Sequence, residues 1–347
     1  MTELTTRPWD VKEEDFPRSG PPDEQARFLL RYAILAPSSH NSQPWRFEIR
    51  DGHVDVYADP SRWLRVADAD QRELYLSVGC ALENLIVAGE YFGLAPRIEN
   101  LEDPGIPEGG ADPVPVARVH LRSPKDDPSS SRRGRSGLFE SLTRRHTNHQ
   151  PYDGRPVPDV VRMSLEALAV EPAVQVHFTD DGEVRRRVDD LTVRADAIQF
   201  ADPEWRKELG EWLGRGVFGA NWLMSKMSQL AVTHLNLSRS VSKKDHELLQ
   251  SASLLGVVAL REVDRHSRVR AGQVFERVFL AATAAGLALQ PMNQILQVPE
   301  VRKEFEGLLP ADWGAPQITF RVGYADPEEH TPRRPVTEVL IDGGSPG

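Results

Sequence analysis

The sequence predicts an α+β protein in which two similar half-domains are fused within one chain of 347 residues. Three observations support this fold class: helical and strand-like patterns are interspersed, one helix-containing segment recurs in the second half, and a charged, serine-rich stretch separates the halves. The halves are predicted as residues 1–125 and 137–347, joined by a solvated linker at 126–136.

The first half opens with an amphipathic pattern at 23–36, which predicts a helix before the polar loop APSSHNSQPW. The segment WRFEIRDGHVDVYAD then alternates around Asp51-Gly52, which predicts a β-hairpin. A long helix is predicted at about 70–93, with Gly93 as its C-cap, and APRIENL and VARVHL follow as predicted strands.

In the second half, the segment SGLFESLTRRHTNHQPYDGRPVPDVVRMSLEALA predicts two helices around a polar turn, and VQVHFTDD predicts a strand. Helical patterns continue over about 184–199 and 203–236. SASLLGVVAL is a predicted strand, AGQVFERVFLAATAAGLALQPMNQ predicts a helix that runs into a loop, and PQITFRVGYA predicts the last strand.

An internal repeat relates the two halves. When LYLSVGCALENLIVAGEYFGLAPRI is laid over VRAGQVFERVFLAATAAGLALQPM, four positions of the first helix fall at identical spacing on four of the second: Gly79, Asn84, Gly93 and Leu94 on Gly272, Arg277, Gly286 and Leu287. The repeat predicts a pseudo-dimer within one chain.

The charge and composition of the chain exclude several classes of function. The formal net charge of −10 provides no overall basic field for nucleic acid or an anionic membrane surface, so neither is a predicted partner. The N-terminus lacks an apolar signal-peptide core and no apolar run is long enough to span a bilayer, which predicts a cytoplasmic protein. The single cysteine, Cys80, excludes an intrachain disulfide and is predicted to be buried in the helix at 70–93.

The sequence lacks the motifs of several common enzyme classes. HExxH, Walker, GxSxG and GxGxxG motifs are absent, and His146-x-x-His149 has no thiolate or paired carboxylate nearby, so we expect no metal site. No dedicated catalytic acid or base stands out either.

Four motifs together resemble the FMN-dependent nitroreductase family. They are APSSHNSQPWRF, RRHTNHQPYDGRPVP, GLALQPMNQ and VGYADPEEHTPRRPVTEVL, and the resemblance covers most of residues 20–340. It implies a nitroreductase-like fold, with a mostly antiparallel sheet flanked by helices in each half. It also implies that bound FMN carries the chemistry, with no catalytic side chain, and that NADPH or NADH binds transiently as hydride donor.

The resemblance assigns roles to four groups of residues. Guanidinium groups suit the FMN phosphate, small polar groups suit the ribityl chain and ring edge, and the segment after the second long helix would lie along the flavin ring. The implied FMN-binding residues are Ser38, Ser39, Asn41, Gln43, Arg144, Arg145, His146, Thr147, Asn148, Gln290, Pro291, Met292, Asn293, Arg333 and Arg334.

Each of these groups also has an ordinary structural interpretation. The loop at 36–45 has the composition of a surface turn, and His40 is compatible with a supporting or surface role. Arg144 and Arg145 could complement a helix C-terminus, Arg333 and Arg334 could be solvated, and Pro291-Met292 could pack in the core.

The motifs occur in an inverted order. In the family the phosphate motif precedes the Ser-Ser-x-Asn loop, whereas here it follows that loop by more than 100 positions. The second half has LAVEPAVQVHF where its own copy of the loop should stand. Each half thus lacks what the other keeps, which resembles the twin-nitroreductase branch, the Acg-like actinobacterial proteins. This arrangement implies one FMN site per chain and a monomer, since the fusion supplies the usual dimer contact.

The resemblance implies hydride transfer from NAD(P)H through FMN to a small-molecule acceptor of the aromatic nitro or quinone-like class. An alternative from another class is an FMN-sequestering or storage protein, because the apolar helical segment at about 200–250 could form either a gating lid or a tight cover. A third interpretation is a remnant that has lost flavin binding.

Overall fold

The computed structural model describes residues 7–102, 104–107, 110–122, 135–219, 222–234 and 238–341. Apart from Arg135 and Ser136, the predicted linker at 126–136 lies outside these ranges. The first half contains α1 (Pro22–Ala33), β1 (Trp45–Arg50), β2 (His53–Ala58), α2 (Arg72–Tyr91), β3 (Ala95–Asn100) and β4 (Val114–Arg122).

The second half has more helices. It contains α3 (Phe139–Leu142), α4 (Asp159–Glu166), β5 (Val174–Thr179), α5 (Gly182–Ala201), α6 (Pro203–Gly214), α7 (Trp222–His234), α8 (Ser238–Ser251), β6 (Leu254–Leu260), α9 (Arg265–Ala284), β7 (Ala288–Pro291), α10 (Gln294–Gln297), α11 (Pro299–Glu306), β8 (Ala315–Gly323) and α12 (Val336–Val339).

The two halves have the same sheet topology. Each contains a four-stranded antiparallel sheet, in the order β1-β2-β4-β3 in the first and β5-β6-β8-β7 in the second. Each sheet also has a register shift between its second and fourth strands, next to Pro115 in one and Pro316 in the other. The predicted α+β class and the internal duplication are therefore confirmed.

The long helices α2 and α9 cross where the repeat placed its paired glycines. A Cβ on Gly79 would lie 2.0 Å from the carbonyl oxygen of Val269, and a Cβ on Gly272 would lie 2.1 Å from that of Leu76. These reciprocal contacts are those of an approximate two-fold axis. Cys80 is buried beside this crossing, as predicted, with Sγ 3.3 Å from the carbonyl oxygen of Gly272.

The halves differ mainly between their first two strands. β1 and β2 are joined by the predicted tight turn at Asp51-Gly52, whose φ angles of 48° and 74° are left-handed. β5 and β6 are instead joined by α5, α6, α7 and α8. The single helical pattern expected at 203–236 is wrong, because the chain breaks between α6 and α7, where Gly216 and Gly219 have φ of 70° and 85°.

A second difference from expectation is β7, which forms where a loop was expected after the second long helix. Its four residues pair antiparallel with β8. After β8 the chain returns to the first half, where the Ile341 backbone N–H donates to the carbonyl oxygen of Phe47 at 2.7 Å. Among the described residues, no helix combines the length and the apolar character needed to cross a membrane.

Candidate functional site

The loop Ser38–Gln43, between α1 and β1, has a strained backbone. His40, Asn41 and Gln43 have φ of 49°, 49° and 52°, in the left-handed region that residues other than glycine rarely adopt. The Gln43 backbone N–H donates to Ser38 Oγ at 2.9 Å and helps to hold this shape. Strain of this kind concentrates at functional sites.

The C-terminal arginine pair binds this loop. Arg333 donates to Asn41 Oδ1 at 3.0 Å and to the carbonyl oxygen of Leu35 at 3.2 Å. The backbone N–H of Arg334 donates to Gln43 Oε1 at 2.7 Å, and its side chain donates to the carbonyl oxygen of Gln43 at 3.1 Å. Segments almost 300 positions apart therefore meet here, and both arginines are buried.

Arg145 reaches the same place from the second half. Its side chain is 1% exposed and donates to the carbonyl oxygen of Leu35 at 2.8 Å, the same acceptor that Arg333 uses. Its Nε lies 3.4 Å from Glu276 Oε1. Both guanidinium groups also lie over the indole of Trp9, 5.9 Å away for Arg145 and 4.8 Å for Arg333. We call Arg145, Arg333 and Glu276 the arginine cluster.

The residues after Arg145 run beside β7. Thr147 forms a parallel bridge with Leu289, and the Asn148 backbone N–H donates to the carbonyl oxygen of Leu289 at 3.2 Å. His146 Nε2 accepts from the backbone N–H of Glu328 at 3.0 Å. The predicted phosphate motif and the predicted ring-facing segment are thus adjacent.

Arg321, on β8, connects these two segments and was not identified from the sequence. It donates to Gln290 Oε1 at 2.7 Å and to the carbonyl oxygens of Asn148 and Gln150 at 3.1 and 2.8 Å. Its guanidinium lies 3.7 Å from the ring centre of Tyr152. The available signal was a lone arginine in the apolar strand pattern PQITFRVGYA.

A chain of hydrogen bonds joins the strained loop to α10. The hydroxyl of Ser39 donates to the carboxylate of Glu73, and Glu73 Oε1 accepts from Gln297 Nε2 at 2.9 Å. Gln297 lies in α10, which follows Asn293 directly. All four predicted segments therefore lie around one interface between the halves.

Four predicted residues make none of these contacts, and one of them, Pro291, pairs with Phe320 of β8. Arg144 is exposed, and among the described residues no side-chain partner is found for it. Met292 is 5% exposed and packs in a hydrophobic cluster with Ile295 and Leu296. Its neighbour Asn293 accepts from the backbone N–H of Thr319 at 3.1 Å.

The helical insert, residues 200–250, covers the strained loop from outside. Asn41 Nδ2 donates to the carbonyl oxygen of Val217 at 2.7 Å, and Glu208 accepts from the backbone N–H groups of Val66 and Ala67 at 3.1 and 2.9 Å. A small hydrophobic cluster closes this contact: Leu64, Ala67, Phe200, Trp205, Trp212 and Val217.

The arginine cluster has surplus positive charge. Burial lowers the pKa of Arg333, and the nearby Arg145 lowers it further. Burial raises the pKa of the Glu276 carboxyl to about 8, so this acid neutralises the two cations poorly at neutral pH. Burial together with Arg145, His146 and Arg333 lowers the pKa of His330 to about 4. Two buried cations facing one weak acid form an anion-binding environment.

The equivalent position across the two-fold axis has the opposite charge balance. Glu83 occupies in α2 the place of Glu276 in α9, and it accepts from Arg277 Nε at 2.8 Å. Arg277 also donates to Glu171 at 3.0 Å and to the carbonyl oxygen of Leu168 at 2.8 Å. One arginine here faces two carboxylates, so this mate cluster has no surplus positive charge.

The donor set of the arginine cluster fits the phosphate of a flavin mononucleotide. The Nε atoms of Arg145 and Arg333 are buried and have no hydrogen-bond partner within the described part of the chain, although Arg145 Nε lies in the 3.4 Å ion pair with Glu276. A phosphate dianion would offset the two positive charges and accept from such donors. The mate cluster, whose arginine is already paired with two carboxylates, does not fit this group.

Replacing Glu276 with glutamine is expected to change how the stability of the apoprotein depends on pH. With a folded pKa near 8 against an unfolded value near 4.5, the native state keeps a proton that the unfolded chain releases. The carboxyl's contribution to stability is therefore complete below the unfolded pKa and is lost as the pH rises toward 8.

Urea denaturation at several pH values measures this effect. The difference in unfolding free energy, wild type minus Glu276→Gln, should fall by about 1 kcal/mol per pH unit across this window. Glu140→Gln, an exposed change on α3, is the control. A difference that is independent of pH would contradict the assignment.

Trp9 and Glu276, like Arg321, were not identified from the sequence as site residues. Trp9 lies in an N-terminal stretch with no recognisable motif, although its ring stacks on His330 at 3.9 Å. Glu276 precedes Arg277 in a helical pattern where such a pair is typical of an exposed face. The available signal was an acid within the apolar run VFERVFLAA.

The twin-sheet architecture, with one cationic site between its halves, is that of a fused nitroreductase-fold protein. No protein-family model matches the chain. The chain is 29% identical over 331 residues to "Putative NAD(P)H nitroreductase Rv3131" of Mycobacterium tuberculosis, covering 92% of each chain. It is 28% identical over 322 residues to "Putative NAD(P)H nitroreductase acg" of the same organism, covering 90% of this chain and 93% of that one.

The chain is therefore homologous to these mycobacterial nitroreductase-family proteins, including Acg, over about nine-tenths of its length. Among solved structures, oxidised iodotyrosine deiodinase bound to FMN and 3-iodo-L-tyrosine is 18% identical with a TM-score of 0.42. That comparison covers 60% of this chain and 99% of the deiodinase chain.

Proposed function

We propose that this protein is an FMN-dependent oxidoreductase that takes hydride from NADPH or NADH and delivers it to an aromatic nitro or quinone-like acceptor. The observation that carries the proposal is the meeting of residues 38–43, 145–148 and 333–334 with Gln290 around one interface with two buried arginines and one weak acid. The names of the mycobacterial relatives support the reaction class.

Bound FMN would supply the redox chemistry, since its ring accepts hydride and passes electrons to an acceptor. The residues of the chain would bind and orient it. Arg145 and Arg333 would neutralise the phosphate, and Arg334 would hold the strained loop through Gln43. The remaining polar contacts to the ribityl chain and ring would come from Ser38, Ser39, Asn41, His146, Thr147, Asn148, Gln290 and Asn293.

The charge balance of the two clusters supports one flavin per chain, because only the arginine cluster has positive charge to spare. The fused halves already make the contact that a homodimer would make, which supports a monomer. Light scattering should then give a mass near 38.8 kDa, and a mass of about 78 kDa, twice that value, would contradict it.

An FMN-sequestering protein is the second candidate, and the packing of the helical insert favours it. The carbonyl oxygen of Val217 binds the strained loop, and Glu208 fastens α6 to the first half. Val217 is fully buried. A cover held this firmly would restrict the entry of a nicotinamide.

Anaerobic stopped-flow mixing of the purified yellow protein with NADPH or NADH separates the two candidates. A reductase loses its oxidised-flavin absorbance rapidly. A sequestering protein stays oxidised, although dithionite still reduces its flavin. A colourless protein that does not bind added FMN would contradict both candidates.

The same experiment on Glu208→Ala tests the insert as a gate. The substitution removes the hydrogen bonds that two backbone N–H groups donate to the Glu208 carboxylate, so we expect flavin reduction to be about fivefold faster. Glu211→Ala, on the exposed side of the same helix, should leave the rate unchanged. If both variants reduce at the wild-type rate, the insert does not gate the site through this contact.

A further inference from the structure

A cavity of about 270 Å³ lies in the second half between the sheet strands β5, β6 and β8 and the helices α5 and α11. It shares no lining residue with the arginine cluster. Its inner wall includes the buried Thr319 but consists mostly of buried apolar side chains: Phe178, Val188, Leu249, Leu255, Val257, Met292, Phe305 and Phe320. Met292, which the sequence placed along a flavin ring, contributes to this wall.

The cavity reaches solvent on one side. Six exposed or half-exposed residues surround this mouth: Asp181, Val184, Leu308, Leu309, Pro310 and Trp313. The indole of Trp313 is held in place because it stacks on the ring of His177, with centroids 3.9 Å apart. An apolar molecule could therefore enter from the surface without the sheet opening.

The side chains that line the cavity indicate which kind of molecule it could bind. Four aromatic side chains line the cavity: Phe178, Phe305, Trp313 and Phe320. Such faces pack well against a flat ring. Among the described residues that line the cavity, Asp181 is the one with a charge, and its carboxylate accepts from the backbone N–H groups of Glu183 and Val184 at 2.7 and 3.0 Å. An anion would meet this negative charge at the mouth and mostly apolar walls inside, and none of the lining residues that the structure describes is a cation that could offset it.

We propose that this cavity is a binding site for a neutral, flat aromatic molecule of about two fused rings. The size follows from volume, since an apolar cavity of about 150 Å³ holds one benzene ring and this cavity has nearly twice that space. Burial of the ring among apolar side chains provides the driving force. The site is independent of the proposed flavin site.

Isothermal titration calorimetry of the full chain with its flavin bound tests the proposal, using 2-naphthol as the neutral probe and 2-naphthoate as an anion of the same ring system. We expect 2-naphthol to bind with one site per chain and 2-naphthoate to bind at least about tenfold more weakly. Absence of 2-naphthol binding, or equal affinity for the two probes, would overturn the proposal.

Two substitutions of the same kind on α5 locate the site. Val188→Phe fills the cavity from its inner wall and should abolish binding, whereas Val193→Phe, at a position 37% exposed on the same helix, should not affect it. Val184→Trp blocks the mouth from the surface and replaces Val188→Phe if that variant does not fold. Wild-type affinity in a folded Val188→Phe or Val184→Trp variant would place the bound probe elsewhere and overturn the inference.

Discussion

Arg333→Met is expected to weaken FMN binding by about 100-fold or more while leaving the apoprotein folded. The substitution removes one of two buried guanidinium groups proposed to bind the phosphate, and charge-assisted hydrogen bonds in a buried site are among the strongest polar contacts. The apoprotein loses the hydrogen bonds of Arg333 to Asn41, Thr331 and Leu35. It also loses the repulsion between two buried cations, so its unfolding free energy should change by no more than about 1 kcal/mol.

The matched control is Arg277→Met in the mate cluster. This arginine is paired with Glu83 and Glu171, so its removal leaves two poorly compensated carboxylates and should destabilise the protein by about 3–5 kcal/mol. FMN affinity per folded chain should not change. Fluorescence titration of FMN and thermal unfolding measure the two effects separately, and wild-type FMN affinity in Arg333→Met would refute the phosphate assignment.

Gly79→Ala and Gly272→Ala are each expected to destabilise the protein by about 3 kcal/mol. An alanine Cβ would lie 2.0 Å from the carbonyl oxygen of Val269 in the first variant and 2.1 Å from that of Leu76 in the second. Both distances are far inside van der Waals contact, so the helices must move apart. This cost exceeds the gain of up to about 1 kcal/mol that alanine provides within a helix.

Chemical denaturation of both variants, and of the double variant, measures this prediction. Either substitution already separates the same two helices. We therefore expect the double variant to lose less unfolding free energy than the two single variants lose in sum. Gly182→Ala is the control: it lies at the start of α5, where a Cβ meets no other atom within 4 Å, and it should not lower stability. Wild-type stability in Gly79→Ala would mean that the helices do not cross this closely.

Much of the fold could be read from local patterns. The hairpin at Asp51-Gly52, the long helix α2 and the paired glycines follow from alternation, helical periodicity and repeated spacing, which depend on neighbouring residues. β7 did not follow from such patterns. Its four residues are too few for a periodicity and are extended because they pair with β8.

The motifs predicted the candidate site as a set of segments, and the structure shows which of their residues come together. The strained loop, the segment after Arg145 and the C-terminal arginines lie together, and their role in binding FMN stays a prediction. Arg144 and Met292 do not join them, because the backbone directs one to solvent and the other into the core. Arg321 and Trp9 could not be assigned, since their partners come from distant parts of the chain.

The sequence by itself determined the local conformations, the duplication and the segments that carry the polar groups. Only the tertiary structure decided which side of the two-fold axis is positive. Glu276 and Arg277 are neighbours on one helix, and successive side chains on a helix diverge by about 100°. One therefore faces Arg145 and the other faces Glu83. The net charge of each cluster depends on which distant segments fold against it, and no local sequence pattern encodes that net charge.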